Sequence, residues 1–278
     1  MYKIVTKQEL APNIYMIELT AADIVKKANP GQFVIIRLDE KGERVPLTIA
    51  GINIKEGTVS IAFHAVGRTT KKLAKLIEGD SITDLSGPLG NPAELSSSGK
   101  VLLVGGGVWC APLYYIAQAL REKENKLVIV AVGRTENDMV YENKLKEISD
   151  VYYVSTDDGS KGHEGLDFLA DILKDQKFDH AVAMGQVSLL KKVVDLTRPY
   201  NLKTLVTLAS LMVDGTGMCG ACRVTVGGET KFACMDGPEF NGLEVDFDEL
   251  INRQRVYLPE ERMASMIYDK LPGGVKRG

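Results

Sequence analysis

The sequence is short of the residues that build most metal sites and membrane anchors. It has one tryptophan, three histidines and four cysteines in 278 residues. The histidines, His64, His163 and His180, lie in segments remote from the cysteines. A structural zinc site built on those cysteines therefore lacks a nearby fourth ligand. No apolar run approaches the roughly 20 residues of a membrane span, and the opening Met1-Tyr-Lys-Ile-Val-Thr-Lys7 lacks the apolar core of a secretion signal. Neither sign of charge dominates: 34 basic against 37 acidic residues leave a net charge of −3. That balance gives no reason to expect nucleic acid or an anionic membrane as partner. Internal repeats and low-complexity segments are absent too. These absences leave a cytoplasmic globular protein, long enough for about two or three domains.

What is present is concentrated. Three of the four cysteines fall in one glycine-rich loop with the spacing Asp214-x4-Cys219-x2-Cys222-x11-Cys234. So tight a group argues for a metal centre in a reducing compartment rather than a disulfide framework. With cysteine at 214 the spacing would be C-x4-C-x2-C…C, the plant-type pattern for a 2Fe–2S cluster. Gly215, Gly217 and Gly220 suit a backbone that must approach sulfur closely with φ > 0. Asp214, Cys219, Cys222 and Cys234 are therefore the candidate metal ligands, with Asp214 in place of the fourth thiolate. Three core cysteines without a metal is the competing reading. Cys110 reads as helix packing.

Residues 1 to about 96 read as all-β. Ile14 to Leu19 alternates apolar and polar side chains, Pro30 to Leu38 is a turn running into a strand, and Ile52 to Phe63 is a hairpin about Lys55-Glu-Gly57. A helix is predicted from a threonine cap at Thr69 to Ile77, and a last strand runs from Gly79 to Asn91. Short strands with one helix predict a small closed barrel. Ser96-Ser-Ser-Gly99 is a linker. Beyond it, strands at 101–104, 127–132, 151–155 and 180–184 alternate with helices ending near Arg121 and at 138–148, 166–174 and 187–198. Such alternation predicts a parallel sheet with helices on both faces, Lys203 to Leu208 supplying its last strand. Asp246 to Gly278 is polar and irregular, either a docking tail for another chain or a solvated helix with a frayed end. The expected domains are 1–98, 99–208 and a cysteine module over 209–248, followed by a tail over 249–278 with a possible partner contact.

Several segments suit phosphate or ring binding. In Arg44-Val-Pro-Leu-Thr48 a fixed-φ proline sits between a cation and a hydroxyl. Pro30-Gly-Gln-Phe-Val34 lies upstream and Val66-Gly67-Arg-Thr69-Thr70 downstream, at a helix start whose free N–H groups suit pyrophosphate. Gly105-Gly106-Gly107-Val-Trp109-Cys-Ala-Pro112 follows a buried strand and leads into a helix, the context that makes a glycine motif credible as a dinucleotide site. Arg134 and Asp157 lie in loops at the C-terminal ends of predicted strands, Asp157 being able to hydrogen-bond a ribose. Each of these turns also admits a purely structural reading.

Together these segments resemble the ferredoxin–NADP reductase superfamily over nearly the whole chain. Within it they look like the electron-transfer subunits related to dihydroorotate dehydrogenase B and sulfhydrogenase. They are most similar to the small subunits of NADH-dependent reduced ferredoxin:NADP oxidoreductases, also called sulfide dehydrogenase β subunits. The resemblance implies an antiparallel FAD-binding barrel, a parallel-sheet NAD(P)-binding α/β domain and a small C-terminal 2Fe–2S module. It implies flavin binding by Arg44, Pro46, Leu47 and Thr48, by Ala62, Phe63 and His64, and by Gly67, Thr69 and Thr70, where threonine stands in place of the family's glycine. Asp-Gly-x-Gly-x-Cys-Gly-x-Cys with Asp214 in front points to the ferredoxin:NADP branch rather than the dihydroorotate branch.

The resemblance further implies FAD, a 2Fe–2S cluster and NAD(H) as cofactors. The expected activity is that of an NAD(P)H-dependent ferredoxin oxidoreductase subunit of the electron-bifurcating type. Hydride exchange between NAD(H) and FAD precedes single-electron transfer through the cluster. The implied partner is a larger subunit with FAD and 4Fe–4S clusters, resembling the glutamate synthase small subunit, and ferredoxin is reached through the complex. Two departures touch the nicotinamide side. Trp109 replaces the fourth glycine of the family's turn, and Gly185-Gln-Val-Ser-Leu-Leu190 replaces its Gly-Pro-x-x-Met segment. The alternatives are an electron-transfer subunit of a dihydroorotate dehydrogenase or sulfhydrogenase complex, and a relay whose nucleotide pocket Trp109 closes.

Overall fold

The computed structural model describes residues 1–95 and 99–270. Most of the expected Ser96–Gly99 linker and the last eight residues of the tail lie outside the described residues.

Period-two alternation builds the first sheet. Its strands are β1 (Tyr2–Ala11), β2 (Ile14–Thr20), β3 (Phe33–Arg37), β4 (Val45–Asn53), β5 (Thr58–His64), β6 (Ser81–Ile82) and β7 (Asp84–Leu89). They pair antiparallel in the order β6-β1-β2-β5-β4-β3-β7. β6 and β7 lie on opposite edges, yet only Thr83 separates them in the chain. The edges must therefore curl together, which nearly closes the sheet into a barrel. Ile17, Leu19, Val34, Ile49, Ile61 and Phe63 face its interior. Their neighbours Phe33, Ile35, Ala50 and Ala62 face outward, into the cores of the rest of the molecule.

Two short helices flank the barrel: α1 (Ala22–Val25), which has no clear pattern in the sequence, and α2 (Arg68–Leu73). The threonine cap expected for α2 is corrected to Gly67, whose N–H donates to Thr70 Oγ1 at 3.1 Å. The helix also ends short of Ile77. Lys75 and Leu76 donate to carbonyls three residues back, the tighter turns that close a helix.

The second sheet holds β8 (Lys100–Gly106), β9 (Lys126–Gly133), β10 (Val151–Thr156), β11 (His163–Glu164), β12 (His180–Met184) and β13 (Thr204–Thr207). Helices α3 (Cys110–Glu122), α4 (Glu142–Ile148), α5 (Leu169–Asp175) and α6 (Val187–Thr197) connect them. The cysteine segment adds a hairpin of β14 (Arg223–Val226) and β15 (Glu229–Phe232), then β16 (Glu239–Asn241). The order is β11-β10-β9-β8-β12-β13-β16, parallel from β11 to β13. β13 is the last parallel strand, as expected of Lys203 to Leu208, and β16 pairs antiparallel outside it, so the cysteine module is stitched into this sheet. Val101 and Leu103 pack with α3 and α4, whereas Leu102 and Val104 pack with α5 and α6. The chain enters at β8, fills one side, then crosses to β12. The switch point, where open α/β sheets bind ligands, lies between β8 and β12.

The C-terminal segment is more ordered than its composition suggested. α7 (Phe247–Gln254) is capped by Asp246, and α8 (Leu258–Lys270) returns to the barrel. There Lys71 Nζ on α2 donates to Ser265 Oγ at 2.8 Å and pairs with Asp269 at 2.7 Å, and Lys75 lies over the ring of buried Tyr268. Among the described residues no helix is long and apolar enough to cross a membrane.

Candidate cofactor and cluster sites

The loop after β13 is folded by its own polar groups. The Asp214 carboxylate accepts from the N–H of Thr216 at 3.0 Å and of Cys219 at 2.7 Å. Those donors, Thr216 first, hold its pKa below the usual carboxylate range. Cys222 and Cys234 are buried with their sulfurs 3.2 Å apart, while Cys219 is exposed and accepts the N–H of Ala221 at 3.5 Å. Burial and then Cys222 push the Cys234 thiol up to about 12, against a backbone N–H from Gly217. The candidate ligands thus gather as two pairs, Asp214 with Cys219 and Cys222 with Cys234. Among the described residues no three such groups converge on one metal ion. Two adjacent pairs fit a two-iron cluster better than one zinc. The Cys234 thiol, so hard to ionise, needs a cationic centre beside it to become a ligating thiolate. The donor set fits the cluster.

Helix α7 grips the same loop. Arg253 Nη2 donates to the Ala221 carbonyl at 3.2 Å and Gln254 Nε2 to the Ala209 carbonyl at 2.6 Å. Neither residue is singled out by motif or spacing, and both lie in a segment that reads in the sequence as polar and irregular.

On its other side the loop rests on the barrel. Gly215 has φ +75°, and a Cβ there would lie 2.6 Å from Ile35 Cδ1 and 2.8 Å from Leu89 Cδ1. Ile35 is the register partner of Pro46. The cysteine loop therefore rests on the strand next to the Arg44–Thr48 segment, one inter-strand step of about 4.8 Å away.

Within that segment Pro46 and Thr48 face out of the barrel with Ala50, as do Ala62 and His64 on β5. Leu47 and Phe63 face inward, Phe63 being 1 % exposed, so any ligand on the outer wall meets their backbone and not their side chains. Arg44 precedes β4. Next to it in sequence, Glu43 accepts the hydroxyl proton of Thr69, and Thr70 is engaged in capping Gly67. The start of α2 thus lies beside Arg44, but a phosphate bound by Thr69 has to displace Glu43.

The glycine turn lies against the same wall. Gly107–Trp109 forms one 3-10 turn next to β5, with Trp109 half-buried against the apolar cluster that contains Ala50, Ala62 and Met184. Gly105 and Gly106 are crowded by protein: their Cβ atoms would meet Leu113 at 2.7 Å and Leu189 at 2.5 Å. Only Gly107, at φ +54° with open space, exposes backbone to a ligand. Buried Cys110 packs in α3, its thiol pushed up to about 12 by burial. Burial, and then the Arg134 guanidinium, lower the pKa of His64, which ties the barrel to the loop after β9. That loop and the next are joined: Asp157 N–H donates to the Gly133 carbonyl and Glu136 N–H to Ser160 Oγ. Arg134 and Asp157 are exposed there at the C-terminal ends of β9 and β10.

Comparison with known proteins agrees with this layout. Residues 209–246 match the iron–sulfur cluster binding domain of dihydroorotate dehydrogenase B. The chain is 45% identical to a dihydroorotate dehydrogenase B (NAD(+)) electron transfer subunit homologue of Thermotoga maritima, over 98% of this chain and 96% of that one. It is 31% identical to the electron transfer subunit of Clostridium perfringens, over 87% and 98%. A solved structure of the NADH-dependent reduced ferredoxin–NADP oxidoreductase superposes with a TM-score of 0.91 at 44% identity, covering 97% of this chain and 98% of that chain. Phthalate dioxygenase reductase, at 17% identity over 81% and 85% with a TM-score of 0.58, shares the fold. The chain belongs to the family of dihydroorotate dehydrogenase B electron-transfer subunits and their homologues, and is an oxidoreductase electron-transfer subunit with an iron–sulfur-binding domain.

Proposed function

We propose that this subunit serves an NAD(P)H-dependent ferredoxin oxidoreductase of the electron-bifurcating type, working with a larger FAD- and 4Fe–4S-bearing partner. The reading divides the chain at 98, 208 and 248 into barrel, nucleotide domain, cluster module and tail. The outer wall of Pro46, Thr48, Ala62 and His64 would hold FAD, with Arg44, Gly67, Thr69 and Thr70 toward its phosphates. Gly107, Trp109, Arg134 and Asp157 would line the NAD(H) side. Asp214, Cys219, Cys222 and Cys234 would hold the 2Fe–2S cluster. When bound, flavin supplies the conversion between hydride and single electrons, and the cluster supplies a one-electron site. The chain's own part is placement: the cluster loop packs on Ile35 and Leu89, and Ile35 pairs directly with Pro46 of the flavin wall.

The contact of Gly215 with Ile35 supports this reading, because the cysteine loop then lies beside the proposed flavin wall, on the neighbouring strand of the same outer face. Full-length protein purified without oxygen should contain FAD, iron and sulfide, and NADH should bleach its flavin. Protein lacking flavin or iron after anaerobic purification and reconstitution refutes the assignment. A second reading rests on Trp109, whose indole sits half-buried where the family's turn has glycine. Under it the subunit relays electrons without taking them from a nucleotide, and flavin stays oxidised under NADH and NADPH alike.

A further inference from the structure

Two buried oxygens at the C-terminal end of β13 find no hydrogen-bond partner among the described residues. One is Thr207 Oγ1, on a residue only 2 % exposed, and the other is Glu239 Oε2. Thr207 and Glu239 are direct register partners in the antiparallel β13–β16 pair, so their side chains stand on the same face of the sheet. The face is identified by Leu205, two residues before Thr207, which belongs to the same buried apolar cluster as Ala50 and Ala62 of the barrel wall and Ala93. Thr207 is also the register partner of Met184, at the strand ends beside the switch point. Glu239 is held in place by its other oxygen, which accepts the N–H of Glu94 at 2.8 Å. A strand-end hydroxyl and a carboxyl oxygen, buried side by side without a partner among the described residues, are costly unless a ligand completes them.

We infer that Thr207 and Glu239 form a polar wall of the flavin site, facing the barrel wall and hydrogen-bonding an acceptor-rich edge of the heterocycle. This rests on the flavin reading above. The carboxyl can donate only while it holds its proton. Burial raises its pKa to about 7; the Glu94 carboxylate adds to that and Lys203 opposes it. Glu94 and Lys203 are themselves paired at 2.6 Å, and His180 feels both. Below neutrality Glu239 therefore donates through Oε2. Above it, the carboxylate repels carbonyl and ring-nitrogen lone pairs. The pair is a positioning device for the bound ring, one that neither the glycine turn nor the cysteine motif announces.

The test is the dissociation constant of FAD for the full-length chain at pH 6 and pH 8, with iron content monitored separately. The wild type should hold FAD about tenfold more weakly at pH 8, one hydrogen bond's worth of discrimination. Glu239→Gln keeps a donor without a titrating proton and should flatten the dependence near the pH 6 value. Thr207→Val, close to isosteric, should weaken binding about tenfold at both pH values. The Gln variant carries the decision if the Val variant does not fold. Wild type that binds FAD, with both variants matching its affinity and pH dependence, overturns the inference alone. Wild type that binds no FAD at either pH overturns the flavin reading on which it stands.

Discussion

Gly215 of the cysteine loop rests on Ile35 of the barrel so closely that a methyl group at position 215 would lie 2.6 Å from the isoleucine tip. Ile35 in turn pairs with Pro46 on the strand assigned to flavin. The packing of the cysteine loop on the barrel therefore depends on one glycine and two aliphatic side chains, Ile35 and Leu89.

Replacing Gly215 tests that contact. Gly215→Ala adds a β-carbon at φ +75° and should cost about 1–2 kcal/mol from backbone conformation alone. Displacement of Ile35 and Leu89 adds to this. The denaturation midpoint should fall, and Gly215→Ala with Ile35→Val should recover part of the loss. Equal stability of Gly215→Ala and wild type contradicts the packing.

Asp214 makes two bonds to loop N–H groups besides its assigned role as ligand. Asp214→Cys should keep a 2Fe–2S cluster and shift its potential, since ligand charge and hydrogen bonding both tune such centres. Asp214→Ala should lose iron readily. An alanine variant with unchanged visible spectrum and iron retention would show that the carboxylate is not a ligand.

Arg253 reaches from α7 to the carbonyl of Ala221, the residue before Cys222. Arg253→Ala removes a charged hydrogen bond worth about 1.5–3 kcal/mol, less what its partial exposure to solvent screens. The variant should release iron to a chelator several-fold faster while flavin content stays the same. Iron release at the wild-type rate would limit Arg253 to a surface role.

His64 gives a pH dependence with a definite sign. Burial, followed by the Arg134 guanidinium, lowers its folded pKa below 6.5, while the Asp138 carboxylate opposes them. The unfolded chain then binds the proton first, so stability falls as pH drops through 6.5 and is whole above it. His64→Gln should flatten part of that acid-side decline, read as the denaturant midpoint against pH.

Trp109 separates reductase from relay. Trp109→Gly should speed NADH reduction of the flavin if the indole obstructs the cleft, and leave the rate alone if it does not. Rapid reduction of the wild type by NADH excludes the closed-pocket relay.

Much of this architecture was legible in the sequence because it is written in local patterns. Period-two runs gave the barrel strands, and a strand followed by glycines and an apolar helix gave β8 and α3. The cysteine spacing located the cluster loop without any tertiary information. What stayed hidden depends on distant partners. Gly67 and not Thr69 caps α2, because Thr70 reaches back three residues while Thr69 is engaged by Glu43. Phe63 and Leu47 fall in flavin-like segments but face the barrel core, a matter of strand phase. Gly105 and Gly106 look like ligand glycines, yet Leu113 and Leu189 occupy the space beside them. Thr207 and Glu239 are 32 residues apart in sequence, and only the antiparallel return of β16 makes them neighbours.

The central claim is that electrons delivered to the flavin of this chain pass to its own cluster across the β3–β4 pair. Rapid freeze-quench paramagnetic resonance on the anaerobic, FAD-loaded protein after mixing with NADH tests it most directly. The account predicts a reduced 2Fe–2S signal that grows as flavin absorbance falls and is lost in Cys222→Ser. Flavin that is fully reduced by NADH beside a cluster that remains oxidised, though dithionite reduces it, would contradict the claim.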